Sequence, residues 1–93
     1  MTTLKRAIEA YGKDMQLTVA VEELSELIKE ICKNKRGRDN RKAIIEELAD
    51  CYIVMEQIAI IFDIPNHAIN EVVDKKITRL ENRLAERSEN GKS

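Results

Sequence analysis

Ninety-three residues suffice for one domain with a modest core, which oligomerisation commonly supplements. With 35% charged and 43% hydrophobic residues, the composition is far from disorder, and a formal net charge of -1 argues against general attraction to nucleic-acid polymers or membranes. No stretch approaches the roughly 18–20 apolar residues of a membrane span, and the opening MTTLKRAIEAYG lacks a signal peptide's apolar core, so a cytoplasmic protein is expected.

Four helices are predicted, with no strand alternation. The first covers about Thr3 to Lys13, its end weakened by Gly12. The second runs from about Met15 to Asn34, where Leu17, Ala20, Val21, Leu24, Leu27, Ile28 and Ile31 recur at a helical period. Lys33, Lys35 and Arg36 suit the negative end of its dipole, and Gly37 stops it. Asp39 or Asn40 can cap the third helix, which reads from Arg41 to about Phe62. Pro65 fits the first turn of the fourth, which runs to about Arg87, and residues 88–93 read as a frayed polar tail. Residues 1–93 are thus expected to form a single helical domain.

The third helix is unusual. From Cys51 to Phe62 it reads CYIVMEQIAIIF, with only Glu56 and Gln57 polar. A helix apolar on every side must be buried on every side, and the rest of so short a chain can hardly cover it. A second subunit packed on this helix is the expectation. Cys32 and Cys51 lack metal-binding spacing and read as small buried hydrophobes. Tyr11, Tyr52 and Phe62 read as core residues and His67 as a surface residue.

The chemistry lies in carboxylates. The second helix carries Glu22, Glu23, Glu26 and Glu30; the third carries Glu46, Glu47 and Asp50. A spacing of three brings Glu23 and Glu26 together, and likewise Glu47 and Asp50. On the third helix, Glu47 and Asp50 open a side that continues with Val54 and Ile61, so they project toward buried ground. Crowded, partly dehydrated carboxylates need a positive partner, and a hard divalent cation supplies one. Antiparallel packing of the two helices would face the two pairs across one gap. The Glu-x-x-His of di-iron carboxylate bundles is absent.

Cations complement this acidic group. Lys76, Arg79 and Arg83 form a stripe on the fourth helix beside Ile69, Val73, Ile77, Leu80 and Leu84, suited to gripping phosphate oxygens. Residues 33–38, KNKRGR, form a second basic cluster, either a cover for a phosphate tail or a soluble connector. Gln16 lies near the Glu23 side and could hydrogen-bond a base or sugar. No GxxxxGK[ST] is present, so a P-loop is not the route to nucleotide.

Together, EELSELIKE, IIEELADCYIVMEQIAIIF and KKITRLENRL resemble the MazG-like all-α nucleoside triphosphate pyrophosphohydrolases, in their short single-domain form. The resemblance covers about Tyr11 to Arg83. It implies a four-to-five-helix bundle assembled as a homodimer or homotetramer. It implies hydrolysis of a (deoxy)nucleoside triphosphate to the monophosphate and pyrophosphate, with Mg²⁺, or Mn²⁺ in its place, held by Glu23, Glu26, Glu47 and Asp50. Glu22 would orient or deprotonate the attacking water. Lys76, Arg79 and Arg83 would bind phosphate. Two competitors stand beside this expectation: a phosphoribosyl-ATP pyrophosphohydrolase and a non-enzymatic helical module that binds a basic partner.

Overall fold

The computed structural model describes the backbone of residues 2–91 and the side chains of residues 2–89. Among these residues it is all-α, with four helices: α1 (Thr2–Tyr11), α2 (Lys13–Lys35), α3 (Arg41–Ile61) and α4 (Asn66–Gly91). The chain divides into two compact units, Met1–Asp63 and Ile64–Ser93. None of the described helices is long and apolar enough to cross a membrane.

In the first unit, α2 and α3 form the main pair and α1 packs on both. Three ties show their direction. Gln57 on α3 bonds Gln16 on α2, Cys51 bonds Glu23, and Asn40, just before α3, bonds Glu30. As numbers rise on one helix they fall on the other, so the pair is antiparallel, as the short connection predicts. The core holds Leu4 and Ile8 of α1, Ala20 of α2, and Cys51 and Val54 of α3. The spacings of three and four put each set on one helical face.

Turn chemistry explains the boundaries. Gly12, at φ 90°, separates α1 from α2, and Gly37, at φ 97°, ends the turn after α2; both lie in a region costly for residues with a Cβ. Asp63, at φ 56°, adopts the left-handed conformation after α3, which Asp tolerates better than most. Asn40 takes the N-cap position of α3 but makes no side-chain capping bond there. Its amide instead donates to the carbonyl of Glu30 at 2.8 Å and to Glu30 Oε1 at 3.4 Å, tying the start of α3 to the last turns of α2. Pro65 precedes the first residue of α4, its carbonyl accepting from the Ala68 N–H at 3.1 Å. α4 continues through Gly91, beyond the end expected near Arg87, while Lys92 and Ser93 lie outside the described residues.

Several side chains expected inside are exposed in the single chain: Tyr11 is 69%, Tyr52 70% and Phe62 59% accessible, and Cys32 is exposed as well. α3 buries only the stripe Cys51, Val54 and Gln57, leaving Ile45, Leu48, Tyr52, Ile53 and Met55 accessible. His67 is exposed, as expected.

Candidate metal centre

Where α2 and α3 run antiparallel, Glu23, Glu47 and Asp50 converge. Each offers one carboxylate oxygen, and these oxygens lie within 4.8 Å of one another. Glu23 and Glu47 are half-buried and Asp50 is exposed, so the group sits at the lip of the helix pair. Cys51, only 2% accessible, lies beneath it and donates its thiol to the Glu23 carbonyl at 3.6 Å. That contact, one residue from Asp50, fixes the register that sets Glu23 against the α3 acids.

The electrostatics are those of a site short of positive charge. Burial pushes the Glu23 carboxyl up, and the neighbouring Asp50, Glu47 and Glu26 push it further. Burial likewise raises Glu47, aided by Asp50, Glu26, Glu30 and Glu46. The Cys51 thiol is pushed up by burial and then by Glu47, Glu23 and Asp50. One oxygen of Glu47, Oε2, is buried with no hydrogen-bond partner. A buried, unpartnered carboxylate oxygen is costly and calls for a compensating group.

Glu30, one turn beyond Glu26, has the opposite setting. Burial raises its carboxyl, but the Asn40 amide and Lys33 outweigh that and hold it low. Lys33 Nζ lies 3.3 Å from Glu30 Oε2. This acid stays ionised, with Lys33 and the Asn40 amide partly offsetting its charge.

The donor set fits a hard divalent cation. Oxygen ligands at about 2.0–2.6 Å from one ion lie no more than about 5 Å apart, and carboxylates are the ligands such ions prefer. Glu47 Oε2 supplies the lone pairs that no protein donor uses.

The other sequence-derived candidates fall elsewhere. Glu26 is exposed and outside the converging group, though near enough to raise its neighbours. Glu22 is exposed on α2. Lys76, Arg79 and Arg83 are exposed on α4, in the second unit, and among the described residues none of them forms an ion pair.

Gln16 is buried, and its Oε1 accepts from Gln57 Nε2 at 2.6 Å. It therefore helps pack α2 against α3, and its side-chain oxygen is engaged there. Gln57 was not singled out from the sequence. The signal was there: it stands seven residues after Asp50 and Gln16 seven before Glu23, two turns along the same seam. Replacing either glutamine by leucine strands a buried amide and should cost about 1–3 kcal/mol in denaturant unfolding, whereas the double replacement should recover much of that loss. Additive losses in the double variant would show that the two amides do not act as a pair.

An antiparallel helix pair carrying convergent acids, with one acid unsatisfied, defines an all-α protein with a candidate cation site. A family model, that of the MazG nucleotide pyrophosphohydrolase domain, matches residues 12–84. The chain belongs to this family, and with it comes a hydrolase role in nucleotide pyrophosphohydrolysis. No curated protein and no solved structure matches the chain.

Proposed function

We propose that the protein hydrolyses a nucleoside or deoxynucleoside triphosphate to the monophosphate and pyrophosphate, with Mg²⁺, or Mn²⁺ in its place, at the carboxylate centre. The observation that carries this is Glu47 Oε2, buried and unpartnered where Glu23 and Asp50 converge, in a chain of the MazG family. Glu23, Glu47 and Asp50 hold the cation. Glu26, exposed one turn from Glu23, swings in as a fourth carboxylate. When bound, the cation neutralises triphosphate charge that these acids would otherwise repel.

The chain's own groups do the rest. Water adds to the α-phosphorus, the bond to the α–β bridging oxygen breaks, and pyrophosphate leaves with the electron pair. Glu22, exposed beside Glu23, orients this water and takes its proton. Lys76, Arg79 and Arg83 bind phosphate oxygens and stabilise the charge that develops on the leaving pyrophosphate. Gln16 contributes through its free amide edge to the nucleoside side of the site. The family match crosses the boundary between the two units, which supports one working domain over residues 1–93. The exposed apolar residues of α3 support assembly into a homodimer or homotetramer.

The deciding experiment measures pyrophosphate release from a panel of nucleoside triphosphates and phosphoribosyl-ATP, with and without Mg²⁺ or Mn²⁺. Metal-dependent release of pyrophosphate with the matching monophosphate is the expected result. Release from phosphoribosyl-ATP alone would move the substrate class. No release from any nucleotide at high protein concentration would favour a binding module.

A further inference from the structure

The turn between α2 and α3 concentrates charge of the other sign. Residues 30–42 hold six cationic and two acidic side chains, in a chain whose formal net charge is -1. Lys33, Arg36 and Arg38 line one cavity of about 200 Å³. One water needs only about 10–15 Å³ by this measure, so the concavity has room for a phosphoryl group with part of its hydration.

The backbone under these cations is tied down. The Arg36 N–H donates to the carbonyls of Cys32 at 3.2 Å and Lys33 at 3.1 Å, the Gly37 N–H to Asn34 at 2.9 Å, and the Arg38 N–H to Lys33 at 3.2 Å. Asn34 Nδ2 reaches the Arg38 carbonyl at 3.4 Å and Asn40 Oδ1 at 3.3 Å. These bonds use the last carbonyls of α2, so the negative end of its dipole is largely satisfied by backbone and the cations are not needed to cap it. Lys33 has a carboxylate partner in Glu30 at 3.3 Å. Among the described residues, Arg36 and Arg38 have none. Two guanidinium groups and an ammonium thus share one concavity on a fixed turn, with their mutual repulsion only partly offset. Guanidinium pairs with phosphate oxygens bidentately, and a fixed turn reduces the ordering cost of binding.

We propose that Lys33, Arg36 and Arg38 form a binding site for a phosphoryl anion, distinct from the carboxylate centre. Ten residues of helix separate Lys33 from Glu23, ~15 Å along the axis, so an anion here lies beyond direct contact with that centre. The chemistry is that of a phosphate or diphosphate group, and its source is either a free anion or the end of a polyphosphate substrate.

The test is calorimetric titration of the full chain with inorganic pyrophosphate in metal-free buffer. Arg36→Ala/Arg38→Ala is compared with Lys35→Ala, which removes a charge outside the cavity. Both variants change exposed side chains, and circular dichroism checks their helices. The wild type and Lys35→Ala should bind alike, and the double variant should lose roughly tenfold or more in affinity. Absence of binding to the wild type, or equal binding by the double variant, would overturn the site. Titration needs no turnover, so it succeeds or fails independently of the proposed reaction. Nucleotide kinetics on the double variant identify the source. A raised KM with unchanged kcat assigns the site to the substrate's phosphate tail; an unchanged KM assigns it to free anion. Either result upholds the site.

Discussion

Replacing Glu47 with alanine is expected to abolish divalent-cation-dependent turnover while leaving the helices folded. Among the described residues, Glu47 contributes the one buried carboxylate oxygen with no protein partner, so its removal takes away a proposed ligand and no hydrogen bond. Loss of groups that merely support a metal ligand commonly costs 10–100-fold, so loss of the ligand itself should lower kcat/KM by at least about 100-fold. Without metal, the fold should tolerate the change or gain from it, since a repelled, partly dehydrated charge disappears. Activity and metal-free stability should therefore move in opposite directions. Steady-state kinetics and thermal melts in chelator measure the two. Full activity in the variant would sink the metal-site assignment.

The second large effect is stabilisation by the cation itself. A ligand that binds only the folded state at 100 times its Kd adds about 2.7 kcal/mol. For a domain of this size, each kcal/mol shifts Tm by about 4–8 °C, so saturating Mg²⁺ should raise Tm by about 10–20 °C at neutral pH. Glu47→Gln should show little of that rise.

The pH dependence fixes the sign of the metal-free term. Glu47 is held above the ordinary value of 4.5, first by burial and then by Asp50, Glu26, Glu30 and Glu46. Between the unfolded and the raised folded pKa, the folded chain binds more protons, so its stability falls as pH rises through that window. Above the window, metal-free Glu47→Gln should melt higher than wild type. Below 4.5 the gap should close, because protonated glutamate and glutamine are then alike in charge. Mg²⁺ at neutral pH should reverse the order. A gap independent of pH would show that the Glu47 charge is not strained in the metal-free protein.

The helices and the acidic pattern were readable because both follow from spacing. The recurrence of apolar residues placed α2 and α3, and the three-residue steps placed Glu23 and Glu47 near partners. What spacing could not give was the exact lateral offset between the helices. That offset depends on where Cys51 and Asn40 bond across the pair, and it leaves Glu26 outside the converging group. Asn40 shows the same limit locally. Its sequence position suits a cap, but its Oδ1 accepts from Asn34 Nδ2 and its Nδ2 donates to Glu30, so the side chain is turned to α2 and makes no bond to the first N–H groups of α3. The Gln16–Gln57 bond was not foreseen because a lone glutamine was weighed without its partner, 41 positions away. Tyr52 and Phe62 were expected inside because their burial was judged from hydrophobicity; in the single chain the small side chains of Cys51 and Val54 fill the α2–α3 seam instead.

The three cross-ties at 16–57, 23–51 and 30–40 act as a ruler along α2 and α3. Every tie is made by residues of the helices or of the N-cap, and none by residues 36–39. The turn is therefore free to change length and charge while the ruler holds the carboxylates in place. An insertion inside α2 has no such freedom: one added residue rotates everything beyond it by about 100° and takes Glu23 out of line with Asp50. Variation among such chains should thus collect in the turn, where one framework can acquire different affinities for anions around an unchanged centre.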